Sequence, residues 1–277
     1  MEILGVKIDN FSREEALKKI ADFLSEEKFH QIATINPEFV LEAQKNEKFK
    51  NILNSCDLNV ADGIGIKLAF WRKGKKLKNR FAGADLMQEI LKMADEKNLS
   101  IFLAANKDGL SLWEETARAI NKIYPQLKIS GTDLNKNNYG CELRVAGCEI
   151  VLCNYGAPFQ EEFIHSLVNI KSDKPPHLFF DKIIQSNNSE YINGNLIKNN
   201  SLPSKRCGGK IRLAMGVGGS FDFMIEKRKR APIFMRNMGL EWLYRLIQQP
   251  SRIKRIFNAT IIFPIKIILV NKEYNNE

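Results

Sequence analysis

Four places in the chain end an apolar, strand-like run on residues whose types can do chemistry. They are Thr34-Ile35-Asn36-Pro37, Asp62-Gly63, Tyr155-Gly156-Ala157-Pro158-Phe159-Gln160 and Gly216-Val217-Gly218-Gly219-Ser220. In an open α/β sheet, ligands bind beyond the carboxyl ends of the strands. Glycines there let the backbone approach a ligand closely, and the N–H groups that open a following helix favour phosphate. Thr34, Asn36, Gly63, Tyr155, Gln160, Gly216 and Gly218 are therefore candidate substrate-binding residues. Asp62 is the candidate general base, because a carboxylate at a partly desolvated strand end can have its pKa raised toward working pH. An Asp ahead of a helix also suits an N-cap. From these residues alone both roles stay open.

Several chemistries lack their usual marks. No G-x-G-x-x-G follows a strand, and neither G-x-x-x-x-G-K-[ST] nor G-x-S-x-G occurs, which counts against dinucleotide redox, P-loop and α/β-hydrolase chemistry. A nucleotide-sugar epimerase loses ground on the same absence. No D-x-D pair stands at a strand end, and His30, His165 and His177 do not cluster with carboxylates, so no metal and no cofactor is expected. If a pyrophosphate leaves here, arginines and backbone N–H groups must take its charge.

The elements that would hold these residues alternate. Strand-like runs are residues 3–8, 31–36, 58–62, 100–105, 127–131, 149–156 and 210–219. Helical spacing falls between them. Ser12 with Glu15 makes a capping box ahead of Ala16–Leu24, Pro37 suits a first helical turn, and residues 64–71, 83–97, 110–123 and 158–168 carry apolar residues at helical spacing. This is the pattern of an α/β fold with a mostly parallel, Rossmann-like sheet flanked by helices. Residues 171–209 break it. That stretch is rich in Asn, Ser and Lys, and reads as a flexible insertion with one short helix around Phe179–Ile184.

The 277 residues suffice for one α/β core, residues 1–230, with an appendage of residues 231–277. Five cysteines without a C-x-x-C pair argue against a disulfide framework and a structural zinc site, and fit a reducing cytosol. The start MEILGVKID has no signal-peptide pattern, and no stretch reaches the roughly 20 apolar residues of a spanning helix. The net charge of +10 is concentrated at the C-terminus, where residues 223–277 hold eleven Lys and Arg against four Asp and Glu. There Trp242, Tyr244, Phe257, Phe263 and many Ile mix with Arg236, Arg245, Arg252, Lys254, Arg255 and Lys266. That composition describes a helical, basic amphipathic surface able to lie on an anionic membrane, and equally a helix docking its apolar face on the core. A nucleic-acid-binding role for the basic tail is disfavoured by its Ile-rich continuation after Arg255.

Taken in order, TINPEFV (34–40), NVADGIGI (59–66), RFAGADLM (80–87), EIVLCNYGAPFQEEFI (149–164), AMGVGGSFDF (214–223) and KRAPIFMRNMGLEWLYRLIQQPSRIKR (229–255) resemble the WecG/TagA/CpsF glycosyltransferases, glycosyltransferase family 26, and most closely the TagA branch. The resemblance implies a metal-independent, inverting transfer. Its substrates would be a UDP-sugar donor and an N-acetylglucosamine acceptor carried on undecaprenyl diphosphate. In the TagA branch the donor is UDP-N-acetylmannosamine and the product enters wall teichoic acid; in other branches the donor is the corresponding uronic acid or another sugar. By the same resemblance Asp62 takes the position of the catalytic base, Thr34 and Gln160 match polar pocket residues, and Arg245, Arg252 and Arg255 match arginines thought to fold over the active site at the membrane. Such an enzyme would be cytoplasmic and peripheral on the inner membrane face. Exposed apolar helices would favour a homo-oligomer. The 171–209 insertion departs from the family pattern.

Overall fold

The computed structural model describes residues 1–135, 148–167, 189–192, 195–198 and 210–274. The chain divides into two compact units. The first comprises residues 1–17, 32–83 and 228–277, and the second residues 18–31 and 84–227.

In the first unit, β1 (Glu2–Ile3) and β2 (Val6–Lys7) form a short antiparallel hairpin where one longer strand is expected, because Leu4 and Gly5 turn the chain with positive φ. The capping box forms as the sequence implies, with Ser12 N–H donating to Glu15 at 2.7 Å and Glu15 N–H to the Ser12 hydroxyl at 3.2 Å. It opens helix α1 (Arg13–Ser25). Strands β3 (His30–Ile35) and β4 (Leu58–Ala61) run parallel, with Ile32 opposite Leu58 and Ile35 opposite Ala61. Every residue of both strands is buried, and apart from His30, Gln31, Thr34 and Asn59 their side chains are apolar. Helices α2 (Pro37–Ala43), α3 (Glu47–Ser55) and α4 (Ile64–Arg72) follow, α3 being one that the apolar spacing does not announce. The C-terminal residues are helical at Ile233–Asn237, Glu241–Gln248, Ile253–Phe257 and Phe263–Tyr274. The last of these packs on α4 and α2, with Phe263 and Ile267 buried.

In the second unit four strands run parallel, in the order β10 (Leu213–Gly216), β7 (Ile150–Cys153), β5 (Ile101–Asn106) and β6 (Ile129–Leu134). Helices α5 (Gly83–Glu96), α6 (Trp113–Ile123) and α7 (Phe159–Leu167) carry the expected buried stripes. Parallel strands flanked by helices, two in the first unit and four in the second, make this an α/β, Rossmann-like fold. Two strands fall within the expected insertion. Strands β8 (Ser189–Ile192) and β9 (Asn195–Lys198) pair antiparallel, and β8 adds to the edge of β6 at Ile129 and Tyr191. Backbone pairing at a sheet edge suffices for this, although the Asn- and Ser-rich composition reads as a loop. The short helix expected at Phe179–Ile184 lies outside the described residues. Cys56, Cys148 and Cys153 are buried free thiols, whereas Cys141 and Cys207 lie outside the described residues. Among the described residues, no helix is long and apolar enough to cross a membrane.

Candidate active site

Asp62 stands just past the carboxyl end of β4. Its N–H donates to the Ile35 carbonyl at 2.7 Å, and Phe81 N–H donates to the Ala61 carbonyl at 2.8 Å, so chain on both sides fixes its place. The next residue, Gly63, has φ +82°, a conformation that costs an L side chain and that turns the chain from β4 into α4. Gly63, and not Asp62, is the N-cap of α4, and no side-chain capping bond forms there. The capping role open in the sequence is therefore not the one Asp62 plays. Its carboxylate accepts from Gly63 N–H and lies in the field of Arg245 and Arg80, which favour its charge, and of Glu241, which opposes it. Burial outweighs these and pushes the Asp62 carboxyl up to about 6.

The C-terminal helices bring the cations. In helix Glu241–Gln248, Arg245 donates to Glu241 at 2.6 Å. Arg80 donates to the Arg236 carbonyl at 2.5 Å, tying the loop after α4 to helix Ile233–Asn237. Arg252 is crowded: burial, and then the nearby charges of Arg255, Arg245 and Arg228, pull its guanidinium down to about 10, with Glu38 opposing. Arg255 pairs with Glu38, its Nε donating at 2.9 Å. Four arginines against so few carboxylates make a place that an anion would relieve. Thr34 is buried at the end of β3, with Gly83 beside its hydroxyl. Asn36 spends its Oδ1 as the N-cap of α2, accepting from Phe39 N–H at 3.0 Å.

The other expected residues form a separate group in the second unit. Gln160, in the first turn of α7, accepts with one oxygen from Gly156 N–H at 3.0 Å and from Gly218 N–H at 3.1 Å. It thereby clamps the loops that leave β7 and β10. Gly216 leaves the space for this, since a Cβ there would run into the Gln160 amide. Tyr155 packs its ring against Phe163 in the core, so what it presents at the strand end is backbone. Glu161 is missed by sequence reasoning. It accepts from the Gln160 amide nitrogen at 2.7 Å, and burial pushes its carboxyl up to about 8. An acid in a helix's first turn reads as an ordinary dipole partner. The signal available was its place, with Gln160 and Ile164, on the inward stripe of α7. Glu241 and Arg80, which act on Asp62, carried no such signal.

Among the described residues, no group of three His, Cys, Asp or Glu side chains could hold a metal ion. A desolvated acid at a strand end with arginines nearby suits a transferase that acts on an anionic substrate. The chain belongs to the glycosyl transferase WecG/TagA/CpsF family, whose description matches residues 1–173 and 204–276, and it is a glycosyltransferase. Similar proteins include two from Bacillus spizizenii (strain W23) and Bacillus subtilis (strain 168). Both are 29% identical, over 85% and 89% of this chain and 78% and 80% of their own lengths. One from Staphylococcus aureus (strain MRSA252) is 27% identical over 96% of this chain and 91% of its own. All three are named N-acetylglucosaminyldiphosphoundecaprenol N-acetyl-beta-D-mannosaminyltransferase.

Proposed function

We propose that this chain transfers N-acetylmannosamine from UDP to the C4 hydroxyl of N-acetylglucosamine carried on undecaprenyl diphosphate, with inversion and without a metal ion. The observation that carries this reading is Asp62, a carboxyl raised by burial and set among Arg245, Arg80 and Glu241. In the reaction, the acceptor oxygen bonds to the anomeric carbon as the bond to UDP breaks, and Asp62 takes the hydroxyl proton. Arg252, Arg245 and Arg255 would stabilise the charge that develops on the leaving diphosphate, with forked contacts that suit phosphate better than lysine does. Thr34, Asn36 and Gly63, and in the second unit Gln160 with the backbone at Tyr155, Gly216 and Gly218, are proposed to bind substrate. The enzyme would work as a peripheral protein on the cytoplasmic face of the membrane, in the synthesis of teichoic acid or a related wall polymer.

Replacing Asp62 with Asn tests the central step. Transfer from UDP-N-acetylmannosamine to a GlcNAc-diphospholipid should fall by about 10²- to 10⁴-fold while the fold is kept. The wild type should gain activity as pH rises through about 6, because the base must be ionised, and that limb should vanish from the residual activity of D62N. Undiminished turnover in D62N would remove Asp62 as the base.

A further inference from the structure

Helix α4 has an outward face unlike a solvated one. Its inward stripe is Gly65, Ile66, Ala69 and Phe70, as helical spacing requires. The opposite stripe is Lys67, Leu68, Trp71 and Arg72, where Leu68 is 49% and Trp71 76% exposed. The chain then continues Lys73-Gly74-Lys75-Lys76, and no acidic residue occurs between Asp62 and Asp85. Three of the cations in this stretch are engaged, Lys73 donating to the Glu2 carbonyl at 3.0 Å, Lys78 to Glu15 at 2.9 Å and Arg80 to the Arg236 carbonyl at 2.5 Å. Lys67, Arg72, Lys75 and Lys76 are exposed around the two apolar side chains. Helix Phe263–Tyr274, which packs on α4, leaves Ile265, Ile268 and Leu269 exposed as well.

From this we infer that the outward face of α4 and its basic turn form a second lipid-contacting surface, in which Trp71 and Leu68 enter the headgroup region of an anionic bilayer. The inference rests on the peripheral-membrane reading above and deepens it by adding a contact outside the C-terminal helices. Trp and Leu flanked by Lys and Arg are the composition of a helix lying in a membrane interface. A protein partner fits less well, because the cores of such interfaces are depleted in lysine. Charge complementarity favours anionic headgroups, toward which each cation at the surface contributes roughly a fivefold gain in binding.

The test uses the full chain carrying W113F and W242F, which leaves Trp71 as the sole tryptophan. Bound to vesicles rich in phosphatidylglycerol, Trp71 should be quenched by brominated acyl chains and shielded from iodide. With phosphatidylcholine alone it should not be. In the wild-type background, L68S/W71S should lower partition onto the anionic vesicles by about tenfold and K75E/K76E by at least about 25-fold, each with unchanged circular dichroism. If the chain binds vesicles but Trp71 stays open to iodide, or partition is unchanged in both variants, this surface is refuted and the C-terminal helices suffice. A chain that binds no vesicle at all overturns the peripheral reading too. Binding of a DNA duplex that both variants abolish would assign the face to nucleic acid instead.

Discussion

Asp62 and Glu161 are carboxyls that burial raises, yet their surroundings give them opposite charge states near neutrality. Asp62 keeps Arg245 and Arg80 in its field and stays at about 6, so it is mostly ionised at pH 7. Glu161 is raised to about 8, with Gln160 as its hydrogen-bond partner and Glu162 opposing its charge, and it stays mostly protonated. Such a split separates a base from a structural acid. The linkage has a definite sign. The unfolded chain gives up the Glu161 proton near 4.5 while the native state holds it to about 8, so this residue's contribution to stability falls as pH rises across that window and levels off above it. Urea unfolding at several pH values should show the stability of wild type relative to E161Q declining from about pH 4.5 to about 8, by a few kcal/mol at most. A difference flat in pH would mean that Glu161 titrates as it does in water. Asp62 could be picked out from the sequence because it interrupts an apolar run with glycines beside it. Glu161 could not, because its burial comes from α7 lying against β10.

At the scale of elements, helix Glu241–Gln248 sets the charge of a residue that stands far from it in the chain. Arg245 is the strongest influence lowering the Asp62 pKa, and it also pairs with Glu241, which raises it. In R245Q the attraction is lost and the Glu241 charge is released from its partner, so both changes push the Asp62 carboxyl above 6. The acid limb of kcat/KM should therefore move to higher pH in R245Q, and an unmoved limb would separate Arg245 from the base. The buried strands β3, β4, β5, β7 and β10 were legible because parallel strands covered on both faces are mostly apolar, with polar residues only here and there, as at Thr34 and Asn59. Helix α3 was not. It buries only Phe49, Ile52 and Leu53 among polar neighbours, and its start depends on Asn46 accepting from Phe49 N–H at 3.0 Å. Strands β8 and β9 were illegible for another reason, since edge pairing to β6 is not written in local composition.

For the molecule as a whole, the C-terminal residues had two readings, a helix docked on the core or a surface meant for lipid. In the structure helix Phe263–Tyr274 buries one face and leaves another exposed. Phe263 and Ile267, one turn apart, are 1% and 5% exposed, and a Cβ at Gly65 would sit 3.5 Å from the Phe263 ring and 2.6 Å from Pro37. The absence of a side chain at Gly65 is thus what lets Pro37 of α2 approach the start of α4, and the Phe263 ring lies at ordinary contact distance beside them. Ile268 and Leu269 point elsewhere, at 46% and 56% exposure. The two faces should separate in experiment. F263A deletes a buried ring and should cost about 3–5 kcal/mol of stability, seen as a lower urea midpoint. I268S/L269S removes apolar surface already in water, so the midpoint should shift by no more than about 0.5 kcal/mol, while binding to anionic vesicles weakens. Because the chain carries a net charge of +10, that binding should also fade as salt shortens the Debye length, whereas the stability loss in F263A should persist. A loss of stability in I268S/L269S as large as that in F263A, with vesicle binding intact, would show the helix to be wholly structural.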